Sequence, residues 1–191
     1  MDVLGQKEAW RIFIAVPIPQ EVKHKMQIWC NEQGQGEQLQ FRKWVHMEDY
    51  HVTVQFLGDM MPERLDQLEV SLKQATQNTP QFSLEVAGCG TFGRPACPSV
   101  LWAGVRGDVA ALSRLQQKVT EANRALGFTP EERRYTPHIT LARKYREDAR
   151  LNPEVLQSVP EFGSWLVDRL VVYRTHMHER PMYEVVKTIA L

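Results

Sequence analysis

A chain of 191 residues can bury a substantial core but is short for two independent domains, and 43% hydrophobic against 24% charged residues excludes disordered, fibrous and membrane classes. Lys+Arg and Asp+Glu balance at 23 each, which excludes the global positive field that holds long polyanions by counterion release, so any nucleic acid would be gripped locally. Cys30, Cys89 and Cys97 are odd in number and lack CxxC spacing, so reduced thiols are expected in place of a disulfide framework or a zinc knuckle.

RIFIAVPI (11–18) predicts a buried strand; its apolar run is too short for a membrane span and its flanks lack a signal-peptide layout, so a cytoplasmic protein is expected. Pro19 then opens a helix with Val22, Met26, Trp29 and Cys30 on one face, ended by Gly34 and Gly36. HVTVQFLG (51–58) alternates as a strand, with His51, Thr53 and Gln55 on one face and Val52, Val54 and Phe56 on the other. Pro62 begins a second helix with Leu65, Leu68, Leu72 and Ala75 at helical spacing, and a strand near 81–87 closes this half.

CGTFGRPACPS (89–99) is dense in Gly and Pro and predicts a connection between lobes. VLWAGV (100–105) then reads as a strand. Asp108 caps a helix with Val109, Leu112, Leu115, Val119, Ala122 and Leu126 inside, Gly127 ends it, and PHITLAR supplies a strand from His138. A short helical piece near 153–158, a strand LVDRLVVYR (166–174) and a final strand YEVVKTIAL (183–191) complete the chain.

The halves share a pattern: strand, helix, then a strand beginning His-x-Thr. Arg11 precedes His51 by 40 positions and Val100 precedes His138 by 38. The expected fold is therefore α+β, a single two-lobed domain over 1–191 made of two pseudo-symmetric β-α-β-α-β lobes (roughly 1–90 and 98–191) with a central cleft between two sheets.

One His-x-Thr on a strand is commonly a locally satisfied polar pair. Two copies at matching places, related by a pseudo-two-fold axis, would converge on one cleft. With reference pKa values near 6.5, one imidazole can accept a proton while the other donates one, and the threonine hydroxyls two residues on can donate to oxygens where charge grows. That set suits transfer at phosphorus without a metal.

His51-Val52-Thr53 with Phe56-Leu57-Gly58, and His138-Ile139-Thr140-Leu141-Ala142-Arg143, resemble the paired motifs of the 2H phosphoesterase superfamily, and more narrowly the RNA 2′,3′-cyclic phosphodiesterases, also called LigT-like 2′-5′ RNA ligases. FRKWVHMEDY, TFGRP…VLWAGV and VVYRTHM…PMYEVV extend the resemblance over most of the chain. It implies a LigT-like fold, and hydrolysis of RNA or nucleotide 2′,3′-cyclic phosphate ends to 2′-phosphates, with reverse 2′-5′ joining. His51 is then the proton donor to the leaving 3′ oxygen and His138 the proton acceptor for the attacking water, with Thr53 and Thr140 holding the phosphate. Val54 stands where the family often has Leu, a matter of packing. The resemblance also gives Arg143 a phosphate or substrate role, whereas strict alternation from His138 points it away from the cleft.

Trp44, Phe92 and Tyr135 lie near the motifs and are candidates to stack on a nucleobase; Phe56, on the Val52/Val54 face, is expected in the core. Arg134 and Arg133, just before the second motif, are candidates for backbone phosphates or simply an exposed charged loop. His176-Met177-His178 has metal-like spacing, but with Glu179 alone nearby an exposed loop is the better reading; His24 and His46 are expected at the surface. No Gly-rich phosphate cradle or GxSxG elbow appears. The expectation is a monomer acting on RNA ends or nucleotide cyclic phosphates, with no cofactor, no metal, no membrane and no obligate protein partner. The rivals are a 2H enzyme for another nucleotide-derived cyclic phosphodiester and a non-catalytic RNA-end-binding module. Two proton-transfer groups argue against the module.

Overall fold

The computed structural model describes residues 8–191, so the first seven residues of the expected domain and of its 1–90 lobe lie outside the described residues. β1 (Trp10–Pro17) is the apolar strand, with residues 12–16 all buried, and α1 (Gln20–Gln35) follows with Val22, Met26, Trp29 and Cys30 on its inner face. Gly34 lies inside this helix, and Gly36 caps it. β2 (Phe41–Trp44), which no alternation announced, precedes β3 (His51–Met60). A 3-10 turn at Pro62–Arg64 leads into α2 (Leu65–Thr76). β4 (Phe82–Arg94) and β5 (Cys97–Gly107) come next, then α3 (Val109–Arg124), where the Ala111 amide donates to Asp108 Oδ1 at 2.9 Å. β6 (His138–Tyr145), a 3-10 turn (Pro153–Gln157), β7 (Glu161–Val167), β8 (Arg169–Thr175) and β9 (Tyr183–Ala190) complete the order.

The strands form two antiparallel sheets, β3-β1-β8-β9 and β2-β6-β5-β4-β7. This is the expected α+β architecture, and the run β3-β1-β8-β9 matches β6-β5-β4-β7 strand for strand, so β3 and β6 are equivalent neighbours of β1 and β5.

Three expectations change. Residues 89–99 do not connect lobes: Cys89 through Arg94 extend β4, Cys97 opens β5, and the two strands pair as a hairpin, with Pro95 and Ala96 at the turn. The glycines there serve close approach instead; a Cβ on Gly90 would run into the Trp102 ring that crosses it. LVDRLVVYR is two strands broken at Asp168, and there the chain passes from one sheet to the other. Each sheet consequently draws strands from both halves of the chain, β8 and β9 joining β1 and β3, so the lobes do not divide at 90 and 98.

The helices pack on the outward faces. Trp29 of α1 meets Phe162 of β7 edge-on at 5.9 Å, and Leu68 and Leu72 of α2 and Leu112, Leu115 and Val119 of α3 are fully buried. The other face of the first sheet holds a separate small cluster of Phe13, Ala15, Val171 and Tyr173, against which Tyr183 packs. The three cysteines are free thiols. Among the described residues no helix is long and apolar enough to cross a membrane.

Candidate active site

His51 and His138 are the first residues of the equivalent strands β3 and β6, and both strands carry a bulge at the same place. In β3 the pairing with β1 steps from Ala15↔Thr53 to Ile14↔Gln55, leaving Val54 as the extra residue; in β6 it steps from Trp102↔Thr140 to Leu101↔Ala142, leaving Leu141. The two residues after each threonine, Val54 and Gln55 or Leu141 and Ala142, are therefore both buried, and alternation resumes one step out of phase.

This shift corrects three expectations. Gln55 leaves the His51/Thr53 face for the core, where Asn123 Nδ2 donates to its Oε1 at 2.9 Å. Phe56 is turned out of the core and is 61% exposed. Arg143, five residues after His138 as Phe56 is after His51, comes onto the cleft side, close enough for its charge to act on His51 and Tyr183. Lys144 beyond it has φ of 60°, a left-handed conformation uncommon for a residue with a Cβ.

The two imidazoles are held alike. His51 Nδ1 lies 2.7 Å from the Asp49 carbonyl oxygen and His138 Nδ1 2.8 Å from that of Thr136. A carbonyl only accepts, so each Nδ1 carries the hydrogen, and each Nε2 is left for chemistry. His51 Nε2 is 3.0 Å from Thr53 Oγ1, whose hydroxyl donates to the neutral ring and accepts from the charged one. The His51 ring packs against Phe13 (4.8 Å), Tyr183 (5.3 Å) and Tyr173 (5.9 Å). Burial pushes its pKa down to about 4; the Asp49 carbonyl opposes this, and the positive charges of His138, Lys23 and Arg143 deepen it.

Thr53, Phe56, Phe92, Arg134, Tyr135 and His138 line one cavity of about 430 Å³. Phe92 stands edge-on to His138 at 4.9 Å and is backed by Trp102 at 5.5 Å. Tyr135 is brought to the cavity as a tether: its hydroxyl donates to the Thr53 carbonyl at 2.8 Å, tying the loop before β6 to β3. Thr140 stays half-buried beside Trp102, two residues from His138. Trp44 is not brought to this cavity; it packs against Phe41 at the edge strand β2 and over Gly34.

Sequence reasoning missed Asp49, Tyr173 and Tyr183. The buried Asp49 carboxylate accepts from the Met182 amide at 3.0 Å and the Tyr183 amide at 3.1 Å, while its carbonyl orients His51. A lone acidic residue two before the histidine gives no periodic signal. Lys23, beside His24 on α1, is also buried, its Nζ donating to the Glu48 carbonyl at 3.3 Å. His176 pairs with Glu184 at 2.8 Å outside the cavity, and no cluster of three metal-type side chains occurs among the described residues. His178 is exposed, His24 is exposed on α1, and His46 Nδ1 accepts from the Glu48 amide at 3.2 Å.

A sequence model of the 2′-5′ RNA ligase superfamily matches residues 30–179. The RNA 2′,3′-cyclic phosphodiesterase of Geobacillus stearothermophilus is 39% identical over 180 residues, 94% of this chain and 56% of that protein, so the chain spans little more than half of that relative's length. The RNA 2′,3′-cyclic phosphodiesterase of Bacillus subtilis (strain 168) is 33% identical over 173 residues, 90% of this chain and 91% of that one. Among solved structures, E. coli LigT complexed with 3′-AMP superposes with a TM-score of 0.77 at 24% identity, covering 96% of this chain and 99% of that one. TT0787 of Thermus thermophilus gives 0.76 at 22%, covering 95% and 97%. Likeness at these identities establishes the fold, which is the expected LigT-like one.

Proposed function

The chain belongs to the 2′-5′ RNA ligase superfamily, and on that premise we propose that it is an RNA 2′,3′-cyclic phosphodiesterase that opens the terminal cyclic phosphate to a 2′-phosphate without a metal. The observation that carries the reading is the matched pair of imidazoles, each fixed through Nδ1 to a carbonyl two residues earlier, with Nε2 as the remaining ring nitrogen for proton transfer, that of His51 in contact with the Thr53 hydroxyl. In this reading one two-lobed domain, working as a monomer in the cytoplasm, holds the phosphate with Thr53, Thr140 and Arg143. His138 Nε2 takes a proton from the attacking water, the new P–O bond forms, the P–O3′ bond breaks, and His51 Nε2 gives its proton to O3′. A 5′-hydroxyl in place of water would make a 2′-5′ linkage.

His51 is neutral at pH 7 in the free protein, so it carries the donated proton only once a phosphodiester sits against it, because that negative charge favours the imidazolium. Phe56, exposed beside Thr53 in the cavity, offers its face to the terminal base.

The test is a panel of cyclic phosphates followed by phosphorus NMR, with and without EDTA. Conversion of RNA 2′,3′-cyclic ends to 2′-phosphates in EDTA is expected. A 3′-phosphate product, or activity restored only by a divalent ion, would overturn the mechanism, and binding without turnover would favour the end-binding module.

A further inference from the structure

We propose that Arg133 and Arg134 bind the phosphodiester joining the terminal nucleotide to its 5′ neighbour, making this an enzyme of oligonucleotide ends that discriminates against cyclic mononucleotides; the inference rests on the function proposed above. The cavity that contains Thr53 and His138 is also lined by Arg133 and Arg134, from the loop 128–137. Both arginines are exposed, and neither guanidinium is paired with a carboxylate among the described residues. Arg124, Arg146 and Arg169 are by contrast paired with Glu121, Asp148 and Asp168, and of the exposed arginines without an ion pair only Arg133 and Arg134 line this cavity among the described residues.

The loop is also fixed relative to the dyad. Tyr135, the next residue, is anchored through its hydroxyl to the Thr53 carbonyl, and Thr136 gives its own carbonyl to His138 Nδ1. The arginines thus sit on backbone whose distance from both motif strands is held by two hydrogen bonds. Arg143 lies on β6 and serves the terminal phosphate, so it is not available to a second one. Glu131 lines the same cavity, and its carboxylate leaves the group with one net positive charge. That matches the single negative charge of a phosphodiester better than the double charge of a phosphate monoester. The planar guanidinium fork can present two donors to one such group.

The test uses two dinucleotides ending in a 2′,3′-cyclic phosphate, identical except that the internucleotide linkage is a phosphodiester in one and a neutral methylphosphonate in the other. The quantity read is the ratio of their kcat/KM values in the parent protein and in an Arg133→Ala/Arg134→Ala variant. The parent should favour the charged linkage roughly twofold to thirtyfold, as expected of two solvent-accessible charge contacts, and the variant should treat the two about equally. Raising the salt should erode the parent's preference. A parent indifferent to the linkage, or a variant that keeps the preference, would overturn the proposal while leaving the cyclic phosphodiesterase reading standing. If the parent opened no cyclic phosphate at all, the function itself would fall, and this inference with it.

Discussion

His51 is under opposed demands. Aromatic packing by Phe13, Tyr173 and Tyr183 holds it at about 4, yet donating a proton requires the imidazolium. Because kcat/KM reports groups in the free protein, its bell should show a lower apparent pKa near 4, while the kcat profile, reporting the bound state, should show that value displaced upward by the substrate's charge. His51→Ala and His138→Ala should each reduce turnover by roughly a hundredfold to ten-thousandfold. The limbs separate the roles: loss of the donor abolishes the alkaline fall and loss of the acceptor abolishes the acidic one, so His51→Ala should keep rising with pH. If it instead kept only the alkaline fall, the roles are reversed. The same shift acts on stability. The unfolded ring takes up its proton near 6.5 and the folded ring resists until about 4, so the unfolded state binds more protons in that window and stability declines as pH falls through it. Denaturant midpoints measured between about pH 7 and pH 5 should fall less for His51→Gln than for the parent.

At the scale of elements, periodicity was a sound guide wherever one face of a strand or helix was uniformly apolar. That held for β1, α1, α3 and the first four residues of β3 and β6, and it placed both histidines and both threonines. It failed where one residue was inserted. A bulge leaves no mark in composition, yet it reversed the facing of Gln55, Phe56 and Arg143 together. The hairpin at 89–99 was hidden for a different reason: its glycines accommodate the Trp102 and Ser99 side chains and do not break the strand. Because Phe56 is largely exposed, Phe56→Ala should leave the melting temperature nearly unchanged while lowering kcat/KM roughly fivefold to a hundredfold, the range for one lost base stack. Arg143→Ala should depress kcat/KM further, and Arg143→Lys should restore it only in part, since a point charge replaces a two-donor fork. Full activity in Arg143→Ala would mean that the bulge brings Arg143 to the cleft side without giving it a substrate contact.

Across the whole molecule, each sheet supplies one imidazole, so the reaction depends on what fixes β3 of one sheet against β6 of the other. Two polar ties do different work. Asn123 of α3 bridges Gln55 of β3, at 2.9 Å, and Ser71 of α2, whose hydroxyl donates to Asn123 Oδ1 at 2.9 Å, all three being buried. Removing it leaves buried polar groups unpaired, so Asn123→Ala should destabilise the fold by ~1–3 kcal/mol. Tyr135, in contrast, spans from the loop before β6 to the Thr53 carbonyl, directly between the two motifs. Tyr135→Phe keeps the ring and deletes only the hydroxyl. The spacing of the imidazoles then loses one restraint of ordinary hydrogen-bond strength, which should lower kcat roughly twofold to tenfold while KM for a cyclic mononucleotide changes little. Its melting temperature should fall less than that of Asn123→Ala. Were Tyr135→Phe to lose as much stability as Asn123→Ala yet keep full kcat, the hydroxyl would be a packing restraint only, and the spacing of the dyad would have to be set elsewhere, by the contact of Val45 with Leu141 that joins the loop after β2 to β6.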